Sequence, residues 1–337
     1  MKKLLVLVFG ILLIINCSSK TDCQCKKPTG PYLGQKPPTG LNAELFAPGI
    51  VSNGMNNRDI TFIPDGKEIY FCASFGNFNY EAIMYSKQLD DGSWTDPEIA
   101  PFSKSMEYMN FEPHISPDGK HFYFLSNRPD IANGETEKGD QDIWVVDRVG
   151  DSWGEPYNLG GPINSEDEEY YPSVTKSGNM YFTRQGKSNR TGFIFRSKFV
   201  DGKYQEPEKL PQQVNCGATQ FNAFVSPNED YIIVPVAGME NTLGGVDYYI
   251  SFRNKNDEWS EPQNIGEPVN SASRNEWSAS VSPDGKYLFF MSSKTSDKPE
   301  INTYDQFKNI FNSSENGSSN VYWVSTDVIE RLRPEGF

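Results

Sequence analysis

Between residues 41 and 330 of this 337-residue chain, short apolar runs are broken at regular intervals by turn signals, and long helical periodicity is absent. The clearest run, His121-Phe122-Tyr123-Phe124-Leu125, follows Ser116-Pro117-Asp118-Gly119, and SPDGKHFYFLSNR at 116–128 is nearly repeated as SPDGKYLFFMSSK at 282–294. Three more copies are FIPDGKEIYFCAS from Phe62, VTKSGNMYFTRQ from Val174 and VSPNEDYIIVPVA from Val225. Their turn positions (Pro64, Pro117, Lys176, Pro227, Pro283) are 53, 59, 51 and 56 residues apart. Each copy predicts a β-hairpin. Proline presets φ at the first turn position, Asp or Asn bonds back to the backbone, and Gly takes the left-handed position. The fourth copy has Glu229-Asp230 in place of Gly, so its turn is built differently.

A third strand follows each hairpin: AIMYSKQ, DIWVVDR, FIFRSKF, DYYISFR and NVYWVST. A further phrase occurs four times, as SWTDPEIAPF, SWGEPYNLGGPINS, KYQEPEKLPQQVN and EWSEPQNIGEPVNS, with an aromatic (Trp94, Trp153, Tyr204, Trp259) just before an acidic-Pro pair. Proline cannot donate to a ladder, so this phrase predicts an exposed outer strand. Five hairpins but four outer phrases leave the last unit one strand short. Glu44-Leu45-Phe46-Ala47-Pro48 echoes Asn264-Ile265-Gly266-Glu267-Pro268 and is expected to supply it. The fold class is therefore all-β: a five-bladed β-propeller of four-stranded antiparallel blades, the last closed by an N-terminal strand, a closure that buries the free edges.

The pattern F-x-P-x-(I/V)-S-P-D-G-K-x-(F/L)-x-F-x-S, followed by D-I-W or D-Y-Y, resembles the TolB-like Pro-Asp (WD40-like) β-propeller repeat across nearly all of residues 41–330. That resemblance implies six blades, the alternative to the five counted here. It also implies a binding or assembly role in the bacterial envelope. The one G-x-S-x-G, Gly150-Asp151-Ser152-Trp153-Gly154, falls between the third strand and the outer phrase and not between a strand and a helix, so the peptidase chemistry carried by some such propellers is not indicated.

Residues 1–16 read as a signal peptide, with two lysines and then an apolar run from Leu4 to Ile15 that is short for a membrane span. Ile14-Ile15-Asn16-Cys17 resembles a bacterial lipobox, although Asn16 departs from it, and this implies lipidation at Cys17. Ser18 in place of Asp implies sorting to the outer membrane. Residues 17–40, rich in Ser, Lys, Pro and Gly, read as a lipidated cysteine and flexible tether; residues 41–337 form a single domain. The formal net charge of −14 argues against nucleic acid as a partner. Cys23 and Cys25 make a lone C-x-C, Cys72 reads as core, and two histidines without a companion cluster point to no metal and no cofactor.

In a propeller, the residues entering each innermost strand crowd the axis. Counting seven, six and five residues before each turn position gives Asn57-Arg58-Asp59, Asn110-Phe111-Glu112, Glu169-Tyr170-Tyr171, Gln220-Phe221-Asn222 and Glu276-Trp277-Ser278. Polar groups alternate with aromatics in these sets. One reading is a sugar-type pocket: rings stack on the sugar, while Arg58, Asp59, Glu112, His114, Glu169, Asn222 and Glu276 take its hydroxyls, beside Phe111, Tyr170, Tyr171 and Trp277. As an enzyme, a glycoside hydrolase or lyase, the chain would draw its acid and base from Asp59, Glu112, Glu169 and Glu276. The competing reading is structural, with aromatics wedged between blades and carboxylates bracing turns. The leading functional expectation is a non-catalytic outer-membrane binding or assembly module, its partner a glycan fragment or an envelope protein. Asp142, Asp247 and Asn320 open three third strands and read as loop braces, with an Arg128–Asp142 ion pair as a local version. Residues 295–319 interrupt the fifth unit, and Tyr304, Phe307 and Phe311 at i, i+3 and i+7 predict a short helix there.

Overall fold

A computed structural model describes residues 27–272, 276–296 and 298–337. The expected signal peptide, Cys17, Cys23 and Cys25 lie outside the described residues.

Five antiparallel sheets of four principal strands circle one axis, which makes the fold a five-bladed β-propeller. Blade 1 runs through Asn56–Phe62, Glu68–Phe75, Tyr80–Lys87 and Glu98–Ile99. Blade 2 uses Asn110–Ile115, His121–Ser126, Asp142–Val149 and Tyr157–Asn158. Blade 3 uses Glu168–Val174, Met180–Gln185, Gly192–Ser197 and Glu208–Lys209. In blade 4 the innermost strand is split into Thr219–Gln220 and Phe224–Val225, followed by Tyr231–Ala237, Asp247–Phe252 and Gln263–Asn264. Blade 5 has Ala279–Val281, Tyr287–Ser292 and Asn320–Ser325, and takes its outer strand, Glu44–Leu45, from the other end of the domain. Innermost strands of blades 1 and 2, 2 and 3, 3 and 4, and 5 and 1 touch around the axis. The hairpin turns gather on one face (the turn face); the connections between second and third strands lie on the other (the loop face).

The closure is the predicted one, with its register shifted by a residue. Glu44 pairs with Trp323 and Leu45 with Tyr322, as Gln263 pairs with Ile250 and Asn264 with Tyr249. The next backbone bond is also matched, Phe46 N–H to Val321 O and Ile265 N–H to Tyr248 O. Phe46, not Leu45, therefore stands where Ile265 stands, and Ala47 shares the left-handed conformation of Gly266 (φ 43° and 72°). The cause is burial: Phe46 is fully buried, 5.0 Å from Phe289 and 5.2 Å from Trp323 between ring centres, and in-register pairing of the other kind would turn it outward.

The tether expectation needs a correction at its C-terminal end. Residues 28–36 pack on blades 5 and 1: Trp94 Nε1 donates to Gly30 O at 2.7 Å, Leu33 is buried, and Gln35 bonds both Leu45 O and Ala47 N. The ordered domain thus begins well before residue 41. Apolar side chains at Tyr32 and Leu33 find a seam to fill, which composition alone does not reveal.

The aromatic of each outer phrase reaches back to the preceding blade. Trp153 Nε1 of blade 2 donates to Tyr70 OH of blade 1 at 2.8 Å, and Tyr70 OH donates to Glu68 at 2.6 Å. Arg148 of blade 2 closes the same seam with a two-pronged bond to Glu68 (2.8 and 3.0 Å) and lies 4.9 Å over the Trp153 ring. Trp259 of blade 4 joins the cluster of Tyr181 in blade 3, and Trp94 of blade 1 joins Phe289 and Trp323 of blade 5. Buried aromatic surface thus joins these blades, and a charge clamp closes the rim between blades 1 and 2.

Candidate functional site

The innermost strands carry a feature that the spacing did not reveal. Asp59, Glu112, Tyr171 and Asn222 all have left-handed backbones (φ 56°, 59°, 53° and 50°) at the equivalent position, and the pairing register slips there in blades 1, 2 and 3. A bulge built on a non-glycine left-handed residue costs energy, of order 1–3 kcal/mol each, and persists where the surroundings over-determine it. Here four blades place such a residue at the axis.

These residues converge on Arg58, which is 8% exposed. Its Nε lies 2.9 Å from Asp59 Oδ2 and its Nη2 3.4 Å from Glu112 Oε1, while the guanidinium sits 4.6 Å over the Phe111 ring. Glu112 also accepts the Tyr171 N–H at 2.8 Å, which ties blade 2 to blade 3, and Tyr171 OH donates to Ala279 O of blade 5 at 3.0 Å. The Asp59 contact is an ion pair rather than an aligned hydrogen bond: both Asp59 oxygens are buried and, among the described residues, neither accepts a hydrogen bond of ordinary geometry. Burial would lower the Arg58 pKa, but the adjacent Asp59 and Glu112 charges outweigh it and hold the guanidinium firmly protonated. Burial pushes Glu112 up to about 7 against the pull of Arg58. The space beside Asp59, Glu112, His114 and Tyr171 is about 20 Å³, room for one water and no more.

Glu81, at the start of the third strand of blade 1, belongs to this group and was not a sequence candidate. It is 6% exposed, accepts Asn110 N–H at 3.3 Å with one oxygen, and leaves the other without a partner among the described residues. Burial raises it to about 8. No sequence signal singles it out, because the repeat has no acidic residue in common at that place. Cys72 is buried as expected; burial and then Asp59 push its thiol well up.

Two of the four candidate acids lie elsewhere. Glu169 is fully buried and accepts from Ser165 N (2.9 Å) and Arg184 Nε (2.6 Å); Glu276 is fully buried and accepts from Ser271 Oγ (2.6 Å) and Ser292 Oγ (3.1 Å). Both brace the segment entering their own blade, as Asn57, Asn110 and Gln220 do in theirs. Neither lines the axial space. Among the aromatics, Phe111 is buried, while Tyr170, Phe221 and Trp277 are half-buried; Phe221 and Trp277 meet edge-on at 6.4 Å, and Tyr170 OH donates to Gln185 at 3.1 Å. Asn222 stands at the axis with its backbone N–H on Thr183 Oγ1. The Arg128–Asp142 pair does not form. Arg128 donates to Phe102 O at 2.9 Å and also bonds Asn110, while Asp142 accepts from Asn158 at 2.6 Å.

His114 separates the axial space from a second, larger one. Val174 N–H donates to its Nε2 at 2.8 Å, which fixes the neutral Nδ1–H tautomer, and burial lowers its pKa to about 4. On the turn face beyond it opens a basin of about 520 Å³ ringed by the hairpin turns, with Ser116, Ser226, Ser282, Lys176 and Asp230 among its polar groups. Among the described residues, no cluster of three or more His, Cys, Asp or Glu side chains could hold a metal ion.

No protein-family profile matches this sequence, and no curated protein sequence matches it. Solved structures do. TolB from Acinetobacter baumannii is 16% identical with a TM-score of 0.44, over 80% of this chain and 54% of that one, so this chain spans about half the TolB length. The Bacillus subtilis arabinanase Arb43A is 11% identical with a TM-score of 0.50, over 81% of this chain and 95% of that one. A thermostable family-43 glycoside hydrolase is 12% identical with a TM-score of 0.48, over 80% and 89%. The ring of five blades makes this a protein of the β-propeller class, and the likeness to the arabinanase, at 11% identity, speaks to the fold alone.

Proposed function

We propose that this chain is a non-catalytic binding module of the bacterial envelope, lipid-anchored at Cys17 in the outer membrane, whose partner is a glycan fragment. The observation that carries the non-catalytic reading is the state of the axis. Asp59 and Glu112 share one guanidinium and face a space of about 20 Å³. A hydrolase acting there would need room for a pyranose between its carboxylates, and an inverting one room for a water as well. The open space lies on the turn face instead, where the basin of about 520 Å³ matches the size of small-ligand sites. The test is a glycan array probed with purified protein, with an envelope pull-down beside it. Saturable binding to a saccharide class supports the glycan module; absence of saccharide binding overturns it, and capture of an envelope protein alone would make the partner a protein instead. Replacing Cys17 with Ser is expected to move the protein from the membrane to the soluble fraction.

A second reading, a glycoside hydrolase, is favoured by one specific observation. Glu81 at about 8 and Glu112 at about 7 would keep a proton near neutral pH beside Asp59, as an acid–base set requires. On that reading, Glu112→Gln or Asp59→Asn abolishes turnover of a polysaccharide while the fold persists. Unchanged turnover in both variants would remove it.

A further inference from the structure

The seam between blades 2 and 3 departs from the clamped seam between blades 1 and 2. Between blades 2 and 3 the outer-phrase aromatic is Tyr204, where blades 1, 2 and 4 have Trp94, Trp153 and Trp259. Its hydroxyl comes only to 3.4 Å from Tyr123 OH, the counterpart of Tyr70. The charge clamp is missing as well. His121 stands where blade 1 has Glu68, but it bonds Asp147 of its own blade at 2.7 Å. Phe199 stands where blade 2 has Arg148, since each pairs with the aromatic of its own outer phrase, and it carries no charge; the neighbouring Lys198 turns to Glu208 at 3.7 Å.

The missing bulk leaves a cleft of about 390 Å³ between the two blades. Its walls are aromatic: Tyr123 is buried, while Tyr157 and Phe199 remain 44% and 40% exposed. The Phe199 ring lies against Gly178, where an added Cβ would come within 2.8 Å of it, so the third hairpin turn is shaped to receive that ring. Polar atoms stand among the rings. Tyr157 OH and His121 Nδ1 both bond Asp147, which orients the imidazole and leaves Nε2 without a hydrogen-bond partner among the described residues, and Asp118 stands at the lip. The cleft also shares Ser116, Pro117, Val174 and Lys176 with the turn-face basin, so the two spaces meet over one rim.

We infer that the cleft between blades 2 and 3 is a saccharide-binding site, continuous with the basin, for a neutral oligosaccharide lying from the axis outward. This rests on the glycan-binding reading above and names its site. Partly exposed flat rings offer the faces that the C–H side of a sugar covers, and hydroxyl and imidazole groups between them take its hydroxyls. The chain's net charge of −14 disfavours an anionic sugar.

The experiment screens immobilised tri- to hexasaccharides from plant cell walls, host glycoproteins and peptidoglycan, then measures the strongest binder by calorimetry. Tyr204→Trp restores the residue found in the other three phrases and is expected to fill the cleft, so affinity falls tenfold or more while the melting temperature holds or rises. Tyr157→Ala removes an exposed ring and is expected to weaken binding by roughly tenfold. Tyr304→Ala, on the opposite face, is the control with unchanged affinity. Binding that survives both cleft variants overturns this site and leaves the glycan module standing. Absence of any saccharide binding by the unmodified protein overturns both.

Discussion

At the scale of single residues, Arg58 decides what the axis is. Removing one partner of a buried, paired charge costs more than the pair itself contributes, because the others are left without compensation. Arg58→Met is therefore expected to lower stability by roughly 3–5 kcal/mol in urea unfolding. A change within about 0.5 kcal/mol would mean that Asp59 and Glu112 do not depend on it. Glu81 gives a pH signature. Its folded pKa, about 8, lies above the ordinary 4.5, so the folded chain holds a proton that the unfolded chain releases, and this contribution is lost as pH rises from about 4.5 to 8. Glu81→Gln should accordingly stabilise the protein increasingly over that interval, read as the difference in melting temperature from the unmodified chain; a pH-independent difference would contradict the shift. The spacing argument did bring Arg58, Asp59, Glu112, Tyr171 and Asn222 to one axis. It missed Glu81, which no repeat position shares, and it grouped Glu169 and Glu276 with them because a seven-residue offset cannot tell a side chain facing the axis from one turned back onto its own loop.

At the scale of elements, the hairpin phrases were legible because Pro, Asp and Gly each impose a local backbone preference. The outer strands were also legible, but they are only two residues long, and register in so short a pairing is set by what gets buried. Hence the one-residue shift at Phe46. Phe46→Ala should cost about 3–5 kcal/mol, since it empties a fully buried site between Phe289 and Trp323; a loss below about 1 kcal/mol would argue that the closure adds little. The predicted helix in the insertion is present at Tyr304–Phe311, with Thr303 and Gln306 forming a reciprocal N-terminal cap. On its apolar side Tyr304, Phe307 and Phe311 are 74%, 59% and 70% exposed, so periodicity gave the helix and not its contacts.

At the scale of the whole molecule, the ring holds because the chain's beginning completes its last sheet. Deleting residues through 46 would leave the Asn320–Ser325 strand as an open edge. Such a truncation is expected to self-associate or lose cooperative unfolding, measured by light scattering and denaturant titration; a monomer with an unchanged transition would refute the role of the closure. The sequence by itself determined the repeat, the blade count and the origin of the closing strand, because each follows from local turn chemistry and period-two patterning repeated five times. Only the tertiary structure decided which carboxylates meet, that the axis is shut around Arg58, and that one seam of the ring stands open beside Tyr204. Those outcomes depend on how side chains from different blades compete for the same space, and that competition has no signature along a single strand of sequence.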